Sequence, residues 1–391
     1  MNPGILITHV RASSADERSL HTDHAGFVGV VTPSRWPLGA TPGAVVEVEV
    51  RAATGLDKVA AASLLDPATR AGLRAYFANG GERATAFGVC IRAPSDLATP
   101  HAVARTLEPL RDRLRSMDEV SLIAAPAFAY LPTEAAADDV VWPGGAAWLE
   151  LLSICAESGH RFLIVDPPRG LDESDVRAWA RRFRNSAGAD ASFAALYWPW
   201  LAAGDTVLPP SGAIVGTYAR VDLANAPMGV RVAPANVDLR GWTDAEANVG
   251  FRDAGVLLED GVNPIVASPG RGLVVWGART LSQDERWRQV TARRIVSVIT
   301  ERLRRDAEWI VFESMRPELW QVAARMVRSR LDGFWSAGML TGDTAGAEYA
   351  VQCDEETNPR AVVDRGEIHV TVRMRPVTAT EFVDIELQLG R

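Results

Sequence analysis

Lysine is almost missing from this chain of 391 residues: Lys58 is the only one, and the other 40 of its 41 basic residues are arginines. That skew fits a GC-rich genome and does not by itself mark phosphate recognition. Cysteine is nearly as scarce. Cys90, Cys155 and Cys353 lie far apart in unrelated contexts, which excludes a CxxC redox pair, a zinc spacing and a disulfide framework, and reads as buried thiols. No run approaches the roughly 18 apolar residues that span a bilayer, and the first residues lack a basic segment followed by an apolar one. A soluble chain without membrane insertion is expected, carried elsewhere only by a larger assembly. Neither GxGxxG nor GxxxxGK[ST] occurs to cradle a phosphate, and no GxSxG elbow presents a nucleophile. The net charge of −8 argues against general nucleic-acid binding.

What is present is ordinary globular composition, 47% hydrophobic and 23% charged, in a chain long enough for two or three cores. AGFVGVV at 25–31 is a continuous apolar run of buried-strand type. VVEVEV at 45–50 alternates and predicts a half-exposed strand. The stretch 66–81 predicts a helix ending on Asn79-Gly80-Gly81, followed by the strand TAFGVCI. Between about 108 and 233, helical and strand patterns take turns: LEPLRDRLRSM then VSLIAAPAF, GAAWLELLSICAESG then RFLIVDPP, ESDVRAWARRFRNS then ASFAALYWPWL. Such alternation with apolar strands implies a largely parallel α/β sheet covered on both faces. The last third predicts strands VNPIVAS and GLVVWGA, helices around 287–305 and 317–331, and three final β-prone segments, AEYAVQCD, EIHVTVRMRPV and EFVDIELQL.

The stretch VVWGARTLSQDERWRQVTARR at 274–294 holds two tryptophans and five arginines and asks most insistently for a function. Between Arg279 and Arg330 stand twelve arginines against seven carboxylates, so this segment is basic within an acidic chain. Tryptophan interleaved with arginine serves single-strand stacking in some proteins, but spacing along amphipathic elements favours core and interface packing here. A helix from about Asp284 is expected, with Ser282 and Glu285 as its capping box, Trp287, Val290, Ile295, Val298 and Leu303 inward, and Arg286, Arg293, Arg304 and Arg305 outward.

Individual candidates for chemistry are weak. Asp166 ends an apolar strand, where open α/β sheets keep their ligands, yet Pro167 and Pro168 follow at once, and loop closure is the simpler reading. His21 and His24 flank Asp23 in a polar linker without a partner cluster and read as solvated. Ser211 reads as a helix N-cap. The carboxylates of CDEET at 353–357 fail the calcium-loop spacing. No catalytic, cofactor-binding or metal-ligating residue is therefore assigned.

Taken together, PGILITHV, AGFVGVV, RAYFANGGERATAFGV, RFLIVDPP, LPPSGAIVGTYARVD, APANVDLRG, GVNPIVASPGRGLVVWGARTLS, WRQVTARRIVSVITERLRRDAEWIVFE and CDEETNP resemble the tail sheath proteins of contractile phage tails and related injection systems. The specific part runs from about Gly255 onward: the strand ending in WGART, a helix, a WIVFE strand and the CDEETNP turn keep the family order. The stretch after AGFVGVV lacks the family's usual Gly-Pro-Val-rich run, and the chain is short for the outer domains of larger sheaths, which suggests a slim subunit.

The resemblance implies a mixed α/β tail-sheath fold: an N-terminal arm and linker (1–24), a central α/β region (25–250), a C-terminal sheath domain with tube-facing helices (251–378) and a C-terminal β arm (379–391). It implies a non-enzymatic structural subunit without cofactors, polymerising with itself as stacked hexameric rings around an inner tube. Its further partners would be baseplate and cap or terminator proteins, with no nucleic acid, in a particle assembled in the bacterial cytoplasm. Terminal β-prone segments are good donors for β-augmentation, so Gly4, Ile5, Leu6, Ile7 and Thr8, with Phe382, Val383, Asp384, Ile385, Glu386 and Leu387, are the expected strand-exchange residues. In the helix 317–331, Leu319, Val322, Ala323 and Met326 are expected inward and Gln321, Arg325, Arg328 and Asp332 outward. The resemblance places a helix of this region against the tube, which nominates Arg325, Arg328 and Arg330 as tube-facing. The alternatives are a sheath-like baseplate or terminator component and, from another class, an α/β enzyme centred on Asp166.

Overall fold

The computed structural model describes residues 22–56, 60–131, 144–227, 229–313, 316–342, 344, 348–379 and 381–390; the expected N-terminal strand at 4–8, and His21, lie outside them. Apolar runs without alternation require burial on both faces. Six of them form the parallel centre of a nine-stranded sheet: β1 (Ala25–Val31), β3 (Ala84–Cys90), β4 (Leu122–Ala124), β5 (Phe162–Val165), β6 (Ala194–Trp198) and β11 (Val262–Ser268), in the order β3-β1-β4-β5-β6-β11. The alternating VVEVEV is β2 (Val45–Val50), an antiparallel edge with Glu47 and Glu49 in solvent and Val48 and Val50 buried. At the opposite edge, β12 (Gly272–Val275) and the two-residue β9 (Val237–Asp238) complete the sheet. β11 and β12, placed with the C-terminal domain on sequence, are thus bonded into the large sheet. A small sheet of β7 (Leu201–Ala203), β8 (Thr206–Leu208) and β10 (Asp244–Ala245) lies beside it.

After the single turn α1 (Ala53–Leu56), helices α2 (Pro67–Ala78) and α6 (Ser211–Ala224) cover one face, sealing Phe27, Ile164 and Tyr197 under Leu73 and Ile214. The other face is covered by α3 (Pro100–Arg115), α4 (Gly145–Ser158), α5 (Glu173–Ala187) and α7 (Phe251–Glu259), packed over Val28, Ile123 and Leu163. Helix starts follow local chemistry: Asp66 accepts from Thr69 N and Asp172 from Asp175 N. α2 and α6 approach to backbone contact, because a Cβ at Gly212 or Gly216 would stand 2.5 Å from Gly72 O or 2.3 Å from Tyr76 O.

The C-terminal unit has its own core. Helices α8 (Val290–Asp306) and α9 (Pro317–Ser336) pack Ile299, Leu303, Val327 and Leu331 against Val370, Val372 and Leu387 of an antiparallel sheet ordered β13 (Tyr349–Gln352), β14 (Glu367–Met374), β15 (Val383–Gly390).

Several expectations are corrected. WIVFE is a 3-10 turn (Glu308–Phe312) following directly on α8, too short and too tightly wound to pair as a strand. α8 begins at Val290, because Thr280 N donates to Arg288 O (2.9 Å) and Thr280 Oγ1 to Trp287 O (2.7 Å), closing residues 280–288 into a loop. Ser282 and Glu285 therefore form no capping box; Ser282 Oγ accepts from Asp284 N inside the loop (3.2 Å). Ser211 opens α6 without capping it, and His24 is buried, its Nε2 3.0 Å from Thr85 Oγ1 across the first two parallel strands.

Candidate functional site and assembly surfaces

Among the described residues, the groups weighed for chemistry make structural contacts. Asp166 leaves β5 fully buried, and its Oδ1 accepts the Ser211 N–H (2.8 Å) that opens α6. Burial pushes its carboxyl up to about 7 against the opposing Ser211 bonds. A helix N-terminus favours the anion, so desolvation outweighs the dipole here. The carboxyl on which the enzyme alternative rests is a helix anchor. Tyr197 and Tyr218 face each other through their hydroxyls (2.7 Å), and burial raises both phenols far above their usual range. Asp354 receives the N–H groups of Glu356 and Thr357, so CDEET is a turn that caps itself. Among the described residues no cluster of His, Cys, Asp and Glu is arranged to hold a metal ion. No helix there is long and apolar enough to cross a membrane. Cys90 and Cys155 are buried and Cys353 half-buried.

Of the five arginines in the 274–294 stretch, Arg286 and Arg288 pair within the loop with Asp284 and Glu285, and the other three reach further. Arg279 N donates to Asn263 Oδ1 (2.6 Å) and Arg279 Nη1 to Leu258 O (3.2 Å), fastening the loop to β11 and α7. Arg293, expected outward, is enclosed between the rings of Phe193 (3.9 Å) and Trp287 (4.2 Å), and burial lowers its pKa to about 9. Two aromatic faces attract the guanidinium there. Arg294 crosses to α6, where Nη1 reaches Asp222 Oδ1 at 3.2 Å and Nη2 bonds Thr22 O at 3.0 Å. Both side chains of that pair are almost fully buried, so one ion pair ties the C-terminal unit to the large domain. Arg161 is a second buried arginine, its Nη2 donating to Leu114 O at 2.6 Å at the end of α3. Sequence reasoning missed Arg161 and Asp222 because residue type alone predicts exposure for both.

The C-terminal sheet ends in a strand at each edge. β15 alternates as its sequence requires: Val383, Leu387 and Leu389 are buried, Asp384 and Glu386 exposed, and Ile385 half-buried. Glu386 meets His369 Nδ1 at 2.8 Å, Asp384 faces Arg373 at 3.8 Å, and Phe382 lies under the guanidinium groups of Arg373 (4.9 Å) and Arg375 (5.3 Å). Expected as an arm apart from its core, the strand instead pairs along its whole length with β14 of the same chain, after the connection 375–382. β13 and β15 stay at the sheet's two edges.

On α9, Leu319, Ala323, Val327, Leu331 and Phe334 turn inward; Val322, expected with them, is exposed, because the inward stripe runs through Ala323 and Ala324. Gln321, Arg325, Arg328 and Asp332 are exposed. Arg328 Nη2 bonds Val351 O (3.0 Å), and Arg330 pairs with Asp306 at 2.6 Å, so Arg330 is partly neutralised by its own chain.

The described residues thus form a doubly wound domain joined to a small three-stranded antiparallel sheet. The sequence profiles of the phage tail sheath protein central domain and the phage tail sheath C-terminal domain match residues 149–281 and 282–390, together well over half of the chain. The chain belongs to the phage tail sheath family. It is 24% identical over 182 residues to the tail sheath protein of Vibrio phage KVP40, covering 46% of this chain and 26% of that one. It is 23% identical over 240 residues to a putative prophage major tail sheath protein of Pseudomonas aeruginosa, covering 60% and 59%. The chain thus spans about a quarter and somewhat over half of these two relatives. Solved structures of the anti-feeding prophage share the fold. Its baseplate matches with a TM-score of 0.70 at 24% identity over 99% of this chain and 98% of that one. Its contracted helical sheath matches with a TM-score of 0.68 at 24% identity over 99% of both.

Proposed function

We propose that this chain is the structural subunit of a contractile tail sheath. It polymerises with its own copies as stacked six-subunit rings around an inner tube, and its contraction drives that tube through a target envelope. Baseplate and cap or terminator proteins bound the stack, and the particle is assembled in the bacterial cytoplasm. The subunit has no catalytic role and needs no nucleotide: the extended stack is metastable, held by a kinetic barrier and by its grip on the tube.

The observation that carries the reading is the place of β15. It fills an edge position of a three-stranded sheet and is joined to β14 only by the connection 375–382. An identical strand from a neighbour would make the same hydrogen bonds and bury the same Val383, Leu387 and Leu389, so exchange between copies is nearly neutral in contacts and needs only the connection to open. Backbone bonding within the joined sheet then persists while the bodies rotate. Residues 4–8 are the matching donor at the other terminus, and Arg325 and Arg328 are the cations offered to the tube.

Locking the strand in place tests this. Thr371 and Glu386 stand directly opposite in the β14–β15 register. Thr371→Cys with Glu386→Cys, oxidised before assembly, should give a folded protein that forms no tubes in negative-stain images and recovers them on reduction. Normal tubes from the oxidised protein would reject strand exchange. The likeness to a baseplate structure favours a second reading, a baseplate component of the same fold, which a purified protein that never forms tubes at high concentration would support.

A further inference from the structure

The large domain carries an apolar groove that nothing above uses. From β1 the chain proceeds to β3 on one side and then crosses to β4 on the other, so the strand order reverses at β1. Doubly wound sheets leave a crevice at such a point, outside the carboxyl ends of the strands. Here it is a groove of about 610 Å3, walled by Val30 near the end of β1, Ile91 and Pro94 after β3, Ala127 and Leu131 after β4, and Leu208 of β8. Where such crevices take phosphates, they offer free backbone N–H groups at a helix start. In this chain the start of α2 is already closed: Asp66 Oδ1 accepts from Thr69 N (2.8 Å) and Oδ2 from Val30 N (3.0 Å). Arg92 at the rim is paired with Asp96 (3.1 Å). Among the described residues, the groove offers apolar contact and no uncommitted charge.

The same domain displays a complement. Pro37, Leu38, Gly39 and Ala40 form a turn closed by Ala40 N donating to Pro37 O (3.0 Å), with Gly39 at φ +78° in its third position. Leu38 at its tip is fully exposed, 107% on a relative scale, the most exposed large hydrophobic side chain among the described residues. The loop is braced at both ends: Trp36 Nε1 donates to Val31 O (2.9 Å) and Gly43 N to Cys90 O (2.8 Å). A leucine held out on a fixed turn gains nothing in an isolated chain, and a fixed turn has little freedom left to lose on docking.

We propose that the Leu38 turn of one copy seats in the switch-point groove of a neighbouring copy. The inference rests on the proposed self-assembly of this chain. Knob and groove are made of different residues, so the contact is head-to-tail; it repeats in one direction and closes into a ring or extends as a helix, where a self-complementary patch would stop at a dimer. Strand exchange tethers neighbours loosely, and this contact fixes how their large domains meet.

Cross-linking tests it on the intact chain. In a Cys353→Ser background, which removes the one half-buried thiol, Leu38→Cys is combined with Ala93→Cys on the groove wall. Mild oxidation of the concentrated protein should give a ladder from dimer upward on a non-reducing gel, and neither single variant should extend beyond a dimer. A double variant that stays monomeric, whether unlinked or linked within itself, overturns the proposal; so would a groove reserved for an apolar small molecule or a different protein, which gives that same result. Independently, Leu38→Asp should raise the protein concentration needed for tubes roughly tenfold or more, the loss expected from one buried leucine. Tubes without a ladder sink this contact and leave the sheath reading standing. A ladder without tubes does the reverse.

Discussion

Replacing Asp222 by alanine should be among the most damaging single changes in this chain. The side chains of Arg294 and Asp222 are 6% and 2% exposed. The guanidinium keeps its bond to Thr22 O and its place over the Tyr218 ring (5.2 Å), but neither supplies a counter-charge. Removing one partner of a buried pair costs about 3–5 kcal/mol, because the remaining charge stays desolvated. The two halves of the pair are unequal. Burial pushes the Asp222 carboxyl above its usual range, opposed by Arg294, so loss of Arg294 shifts the acid further toward its neutral form. An orphaned guanidinium has no such escape. Arg294→Met should therefore cost less than Asp222→Ala, by about 1 kcal/mol or more. The double replacement Asp222→Leu with Arg294→Met should fall within about 1–2 kcal/mol of the parent, since a packed apolar pair of similar volume substitutes well for a buried ion pair. Urea unfolding of the intact chain at pH 7, followed by tryptophan fluorescence, reads all three. A loss below about 1 kcal/mol for Asp222→Ala, or equal losses for the two single variants, would refute the reasoning.

Three further outcomes follow from named contacts. The Asp166 carboxyl, raised to about 7 in the fold from roughly 3.9 in an unfolded chain, contributes stability that is complete below pH 4 and fades as pH rises through 7. Asp166→Asn, which keeps an acceptor for Ser211 N, should remove that slope and leave the protein at pH 8 more stable than the parent, by at most on the order of 4 kcal/mol; a slope unchanged in pH-dependent melting would contradict it. Gly216→Ala puts a methyl 2.3 Å from Tyr76 O at the α2–α6 crossing and should cost about 1–3 kcal/mol in urea unfolding, whereas Gly255→Ala, with nothing within 4 Å, should be neutral or slightly stabilising. Arg325→Glu with Arg328→Glu, co-expressed with the tube protein, should leave a folded sheath that forms empty contracted tubes and few extended, filled ones. Exposed ion pairs are each worth only about 0–1 kcal/mol, so sixfold repetition is what gives reversing them a visible effect. Unchanged yields of filled particles would leave these arginines as ordinary surface charge.

Periodicity was enough for the long elements of the large sheet and its helices, though not for WIVFE, which is a 3-10 turn, nor for the two- and three-residue strands β7 to β10. Apolar runs such as AGFVGVV and RFLIV, long enough for a strand and flanked by helical patterns, can bury both faces only in a parallel sheet between two helical layers, and VVEVEV and VDIELQL announce one wet face each by strict alternation. The order of motifs after Gly255 was equally legible and carried the family. What residue type could not reveal is which charges go inside. Arg161, Arg293, Arg294, Asp166 and Asp222 look like any other arginines and aspartates along the chain. Arg161, Arg294, Asp166 and Asp222 are buried and Arg293 is half-buried, because a distant partner satisfies or encloses each: carbonyls near the end of α3, an ion pair between domains, a helix start 45 residues away, or rings from two segments. The start of α8 was misjudged for a related reason, since the bonds of Thr280 to Arg288 and Trp287 close a loop whose hydrogen bonds replace helical ones at no local signal. The course of β15 belongs to the same class. An alternating strand specifies that it must find an edge and an apolar floor, and local sequence says nothing about which chain supplies them. Tertiary structure decides, because pairing energy depends on the partner brought within reach and side-chain pattern encodes only the readiness to pair.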